Sequence, residues 1–297
     1  MANSIALVTK FLPLLDEVYR LESKSARFDA QTGLVLPTQD AKSIKIAKIA
    51  MQGLVDYARE TGFTRGDVTL DWETFTFSND RGRTFHIDRL DDEETLGIVM
   101  GSVVGEFIRT KVVPEIDAYR FAKYAGTAGV GVATDAVITA ANIVDEIDKA
   151  IAVQDDGEVP TEGRVLLMSP KAYAALKKAN DTKHFLVPGQ SENRNFMSYD
   201  DMEIVKVPQG RFFTAITMNT TGDGGYIKNA TTGKDINFMV VHPTALLQVT
   251  KHAIPRMFDP NTNQSADAWK IDYRIYHDAF VYDNKKAGIY VHAAPKA

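Results

Sequence analysis

Apolar positions along this chain change period several times, and the changes mark its elements. Residues 4–20 carry Ile5, Val8, Leu12, Leu15 and Tyr19 at three- and four-residue spacing, with Asp16, Glu17 and Arg20 between them. That spacing predicts an amphipathic helix, kinked or started late by Pro13. Residues 21–40 are polar and irregular. Ser43–Met51, "SIKIAKIAM", alternates in part and predicts a strand. Asp67–Phe77, "DVTLDWETFTF", has the clearest period of two, with Val68, Leu70 and Trp72 on one face and Phe75 and Phe77 on the other. Residues 78–83 supply Asn, Asp and Gly for a turn, and Thr84–Leu90 returns with Phe85. The pattern predicts a hairpin whose base is bracketed by Gly62 and Gly66.

Asp91 or Asp92 then caps a helix, and Glu93 and Glu94 sit in its first turn, where carboxylates complement the positive end of the helix dipole. Leu96, Val99, Met100, Val103, Val104, Phe107 and Ile108 form a broad apolar stripe. A helix over 92–113 is roughly 33 Å long. Pro114 ends or bends it and begins a second segment closed by Gly126. A further helix is expected over 135–152, with Ile143, Val144, Ile147 and Ile151 inward. "RVLLMSPKAYAALKKAN" reads as a buried strand, Ser169 as N-cap, Pro170 at the first helical position and a short helix. Residues 180–240 alternate short strands with loops. "WKIDYRIYHDAFVYDNKKAGIYVH" reads as two terminal strands joined by a turn. There is no internal repeat. This order is α+β, not the regular alternation of a doubly wound sheet.

Composition narrows the chemistry. The 297 residues are 44% hydrophobic and 25% charged, as in a soluble globular protein. A net charge of −5 argues against tight nonspecific nucleic-acid binding. No cysteine is present, which removes thiolate catalysis, Cys-ligated zinc and disulfides. No stretch approaches the roughly 18 apolar residues of a membrane span, and the first residues lack a secretory pattern. "GTAGVGV" (126–132) follows a helix with the wrong glycine spacing for a phosphate loop and reads as a C-cap and hinge. "DPNTNQSADAWK" (259–270) begins like a calcium loop, but Gln264 and Lys270 occupy the positions of its Gly and Glu. His86, His184, His242, His252, His277 and His292 form no metal-binding spacing, and Ser169 lacks a nucleophile-elbow context. The acids of 88–95 are explained by capping. These residues assemble no catalytic, metal or cofactor site.

The hairpin is therefore the feature to explain. A two-stranded ribbon is marginal in water by itself. One with Trp72, Phe75, Phe77 and Phe85 spread over both faces, and Asp80, Arg81 and Arg83 at its tip, has two readings: it packs on its own domain as part of a larger sheet, which accounts for one buried face, or it lies over a neighbouring copy, which buries both and lets the arginines meet carboxylates there.

The chain also resembles the major capsid proteins of tailed bacteriophages, those with the Hong Kong 97 fold, and more narrowly the siphophage type. The residues that carry the resemblance are "MQGLVDYARETGFTRGDVTLDWETFTFSNDRGRTFHIDRLDDEETLG" (51–97), "KVVPEIDAYRFAKYAG" (111–126), "LLMSPKAYAALK" (166–177) and "YRIYHDAFVYDNKKAGIYVH" (273–292). The resemblance implies an N-terminal arm over 1–40 and an extended loop over 62–90. It implies a peripheral domain from 41–61, 91–127 and 251–297, with a spine helix starting at 91, and an axial domain over 128–250. It further implies self-assembly into the hexamers and pentamers of an icosahedral shell that encloses double-stranded DNA without reading its sequence. A separate scaffolding protein and a portal are the implied partners. The implied place is the virion, reached by assembly in the bacterial host cytoplasm. An encapsulin-type compartment that packages a cargo enzyme is the alternative with the same fold.

Overall fold

A computed structural model describes residues 23–29, 36–37, 42–57, 59–60, 62–89, 104–133, 137–183, 198–263 and 266–296. The predicted helix over 4–20 and the caps at Asp91, Asp92, Glu93 and Glu94 lie outside the described residues. The strands are β1 (Leu36–Pro37), β2 (Ser43–Met51), β3 (Val68–Thr76), β4 (Asn79–Asp88), β5 (Gly131–Ala133), β6 (Val165–Met168) and β7 (Ser198–Tyr199). They continue with β8 (Met202–Lys206), β9 (Ile216–Met218), β10 (Tyr226–Lys228), β11 (Ile236–Val241), β12 (Leu246–Phe258), β13 (Ala268–Val281) and β14 (Ile289–Ala293). The helices are α1 (Val113–Ala125), α2 (Ile143–Asp156) and α3 (Pro170–Lys183).

The largest sheet has the order β5-β14-β11-β6-β8-β7. Its central strands are continuous apolar runs because both faces are covered. Leu166 and Met168 of β6, with Phe238 and Val240 of β11, join Ile143 and Ile147 of α2 and Ala172 and Leu176 of α3 in one core layer. Val165, Leu167, Met239 and Val241 point the other way, toward Phe121 and Tyr124 of α1 and Leu246, Ala279 and Val281. The Ser169 hydroxyl accepts from the Ala172 amide at 3.3 Å, and so caps α3 as its sequence predicts.

A second sheet has the order β12-β13-β4. One face, with Ile271, Tyr273 and Ile275, covers the helical stretch of Val104, Ile108, Val112, Val113 and Ile116. Pro114 does not end this helix. A π-turn over Ile108–Val112 runs straight into α1. Proline offers no N–H to the carbonyl one turn back and its ring crowds that carbonyl, so the wider turn absorbs the conflict without breaking the rod.

Two pairings differ from the sequence reading. The terminal strands β13 and β14 are consecutive, joined by a 3-10 turn over Asp283–Gly288, but they lie in different sheets. Strand β14 is thus built into the sheet of residues 131–241, not grouped with 251–281 as the expected peripheral range 251–297 implies. More consequential, β3 does not pair with the strand that follows it. It pairs with β2, from Ser43↔Thr76 to Met51↔Val68, and β4 pairs instead with β13, from Asn79↔His277 to Ala268↔Asp88. The antiparallel ribbon is 43–76, with residues 52–67 at its far end.

Candidate functional site

The β2–β3 ribbon is rooted in an aromatic cluster. Ile44, Ile46 and Phe77 are buried with Leu247, Phe280 and Tyr282, and Phe75 packs against them. The ring centroid of Phe75 lies 4.8 Å from that of Phe280, and that of Phe77 lies 5.3 Å from that of Tyr276. Register decides what each face of the ribbon carries, because residues directly opposite in an antiparallel pair share a face. One face reads Ile44/Phe75, Ile46/Glu73, Lys48/Asp71 and Ala50/Thr69 outward from the root. It starts apolar, where the body covers it, carries charge in its partly covered middle, and ends in the exposed Ala50/Thr69 pair. The other face starts polar at the root, with Ser43/Thr76 and Lys45/Thr74, and then runs outward as a ladder of Ala47/Trp72, Ile49/Leu70 and Met51/Val68. That ladder is apolar and exposed throughout, with Trp72 the least exposed of its large side chains at 49%.

The far end continues the same surface. Leu54, Val55, Tyr57 and Phe63 are all exposed, Phe63 at 90%, and the rings of Tyr57 and Phe63 lean on each other at 4.9 Å. Nine of the thirteen large exposed hydrophobics among the described residues fall between Ile49 and Trp72, so the chain concentrates its uncovered apolar surface in one 24-residue excursion. Scattered exposed hydrophobics are ordinary, whereas a contiguous set marks a surface that meets a partner. Gly62, at φ +76°, and Gly66 lie in this distal loop, not at the ribbon's base.

Of the site residues inferred from sequence, only Trp72 sits on the uncovered ladder. Phe75 and Phe77 belong to the root cluster. Phe85 packs on Phe107 at 4.8 Å, against the subunit's own helix. Residues 79–83 form no tip. Asp80 pairs with Arg274 at 2.6 and 2.9 Å, which holds the Asp80 carboxyl below the usual carboxylate range. Arg81 grips Glu115 through its Nε at 2.8 Å and also donates to the Asn219 and Gly225 carbonyls. Arg83 donates to the Gly222 carbonyl at 3.1 Å. The expected double aromatic face with an arginine tip is thereby corrected: the arginines tie β4 to its own molecule.

The passage from ribbon to body is two residues long and is fixed by one buried carboxylate. Asp278 accepts from the Ser78 amide at 2.8 Å, the Ser78 hydroxyl at 3.0 Å and the Tyr119 hydroxyl at 2.9 Å. Beside the ribbon root, Glu73 faces Asp283. Burial, then the Asp283 charge, pushes the Glu73 carboxyl up, while Lys286, 2.7 Å away, holds Asp283 down.

Sequence reasoning missed a second built feature, where residues 23–25 meet α1. The fully buried Asp117 accepts from the Ser23 hydroxyl, the Lys24 amide and both the amide and hydroxyl of Ser25, at 2.7 to 3.1 Å. Arg211 completes the set at 3.2 Å. An Asp within an amphipathic helix gives no sequence signal for this role. The chemistry of both features is binding and positioning. Among the described residues no group of His, Asp and Glu is arranged to hold a metal ion. No helix is long and apolar enough to cross a membrane among them either.

The chain matches no protein-family model and no curated protein. Its fold does recur in solved structures. The capsid structure of the cyanophage P-SCSP1u aligns with a TM-score of 0.60 at 14% identity, over 88% of this chain and 85% of that one. The mature capsid of bacteriophage PhiM1 aligns with a TM-score of 0.56 at 15% identity, over 86% and 83%. A virus-like particle from Pyrococcus furiosus aligns with a TM-score of 0.52 at 10% identity, over 94% and 95%. At such identities the likeness is one of fold: this chain has the α+β, Hong Kong 97-type fold of phage capsid structures.

Proposed function

We propose that this protein is a structural shell subunit, the major capsid protein of a tailed phage, which assembles with copies of itself around double-stranded DNA. The observation that carries the proposal is the β2–β3 ribbon. Its root is built into the subunit, its outer ladder of Ala47, Ile49, Met51, Val68, Leu70 and Trp72 has no cover among the described residues, and the fold that bears it is shared with capsid structures. A second molecule of the same kind supplies the cover. The extended loop of the shell subunit is accordingly assigned to 43–76, in place of 62–90. The β12-β13-β4 sheet with its helix forms the peripheral part, and the six-stranded sheet, β14 included, forms the axial part. The function assigned is containment, without catalysis. Scaffolding and portal proteins are its proposed helpers, in virions and during assembly in the host cytoplasm.

Negative-stain electron microscopy of the expressed chain tests this reading. Closed shells are the expected result, and a monodisperse monomer at high concentration would reject it. The contents of native particles, DNA or a protein cargo, separate a phage head from an encapsulin-type compartment.

A further inference from the structure

Helices α2 and α3 share one core layer on the six-stranded sheet, yet their charges are of opposite sign. Helix α2 bears Asp145, Glu146, Asp148, Asp155 and Asp156 against Lys149 alone. Over 170–179, α3 bears Lys171, Lys177 and Lys178 and no acid. Lys171 and Lys178 are exposed and stand two turns apart on one face, about 10 Å along the axis. Lys177 sets its ammonium 5.1 Å from the centre of the Tyr173 ring. Lys206, at the end of β8, brings a second ammonium to the same ring at 4.7 Å. Strand β8 runs parallel to β6 with Lys206 opposite Met168, so this lysine arrives beside the first turn of α3. Tyr173 is itself buried, which makes its ring a fixed platform for both.

Lys48, Lys123, Lys149, Lys228, Lys270 and Lys286 each lie within 4.0 Å of a carboxylate. None of the four lysines around Tyr173 does so among the described residues. What their surface suits follows from what it lacks. None of the large exposed hydrophobics among the described residues lies on α3 or β8. A protein partner is met on an apolar centre inside a polar rim, whereas nucleic acid is met on a polar, strongly positive surface. Lysine holds a phosphate as a point charge, which suits a backbone contact that ignores base sequence.

We propose that Lys171, Lys177, Lys178 and Lys206 form a phosphate-backbone site, at which the subunit touches the duplex DNA it encloses. This rests on the shell reading above and adds where the wall meets its contents. The net charge of −5 keeps the contact weak. A weak site suffices, because DNA confined in a shell is concentrated there and mass action fills the site. The acids of α2 repel the same phosphates and so limit the contact to the α3 side.

Binding of dilute subunits to a short fluorescent duplex of mixed sequence, followed by anisotropy at rising salt, tests the site. Four phosphate contacts give a slope of about −3.6 in log affinity against log salt, at about −0.9 each. The variant with Lys171→Gln, Lys177→Gln, Lys178→Gln and Lys206→Gln is expected to bind roughly tenfold more weakly, or worse, at low salt and to bring the slope toward zero. Its subunit melting temperature and its yield of empty shells should match the wild type. The same four positions changed to arginine keep the charge and should keep the slope. Wild-type affinity and slope in the glutamine variant, alongside normal shells, would overturn the site and leave the shell reading intact. So would a wild-type subunit whose binding does not respond to salt. Loss of shells in the glutamine variant, with its subunits still folded, would assign the lysines to an acidic protein partner and also overturn the inference. A wild-type chain that forms no shells would reject the shell reading itself, and the enclosed DNA with it.

Discussion

Asp117 is a carboxylate with no exposure to water, and a buried charge persists only when its lone pairs are used. Four donors from residues 23–25 and the Arg211 guanidinium use them. Asp117→Ala would strip the buried amide and hydroxyl of Ser25 of their acceptor. The expected cost is about 3 kcal/mol of subunit stability, read from the urea midpoint, with protease cleavage near residue 23 becoming faster. His277 is the opposite case, an ionisable group kept neutral. Burial first, and the Arg120 charge second, bring its pKa down to about 3. The unfolded chain takes up a proton near pH 6.5 that the native state refuses until about pH 3. Stability from this residue is therefore complete above about pH 6.5 and is lost as pH falls toward 3, at up to about 1.4 kcal/mol per pH unit. His277→Gln, which can still accept from Asn79, should flatten that acid slope in denaturation curves measured from pH 7 to pH 4. An unchanged slope would show that other groups control it.

At the scale of elements, the ribbon's two faces make different predictions. Leu70→Asp alters the uncovered ladder. It should leave subunit stability within about 0.5 kcal/mol while abolishing particles, because an exposed site tolerates a charge and a buried interface does not. Arg81→Glu alters an internal tie. It sets a carboxylate against Glu115, so its expected effect is a loss of about 2 kcal/mol in the isolated subunit, seen by thermal melting before any assembly assay. The strands themselves were legible from alternation, and β2, β3, β6 and the cap of α3 lie where the pattern places them. Their partners were not. "NDRGR" reads as a turn by composition, yet each residue has a strand-specific reason to be there. Asn79 serves His277, Asp80 serves Arg274, and a Cβ on Gly82 would come within 3.0 Å of the Tyr273 carbonyl. Glycine here admits a close neighbouring strand, a need created by residues about 190 positions later. Local sequence carries no trace of it.

For the whole molecule, fold class and the existence of an arm with uncovered apolar residues were readable, because both follow from periodicity and from the placing of apolar residues. Which side chains stay uncovered was not readable, since that depends on which face of the ribbon its own body covers. The consequence for stability is that the subunit and the assembly should melt apart. Trp72→Ala is expected to lower the melting temperature of particles by several degrees and that of dilute subunits by less than about one degree, since only the assembled state covers the ring. Equal shifts in both would place Trp72 in the subunit's own packing.

The near-continuity of β3 and β4, interrupted at residues 77–78 alone, also sets how the molecule answers a pull. A tug on the ribbon passes straight down one strand into its ten-residue ladder with β13. The load then runs along the strands, so all the rungs resist together and none can be unzipped one by one. A container wall strained from inside would meet that strain in the direction in which a sheet is hardest to part.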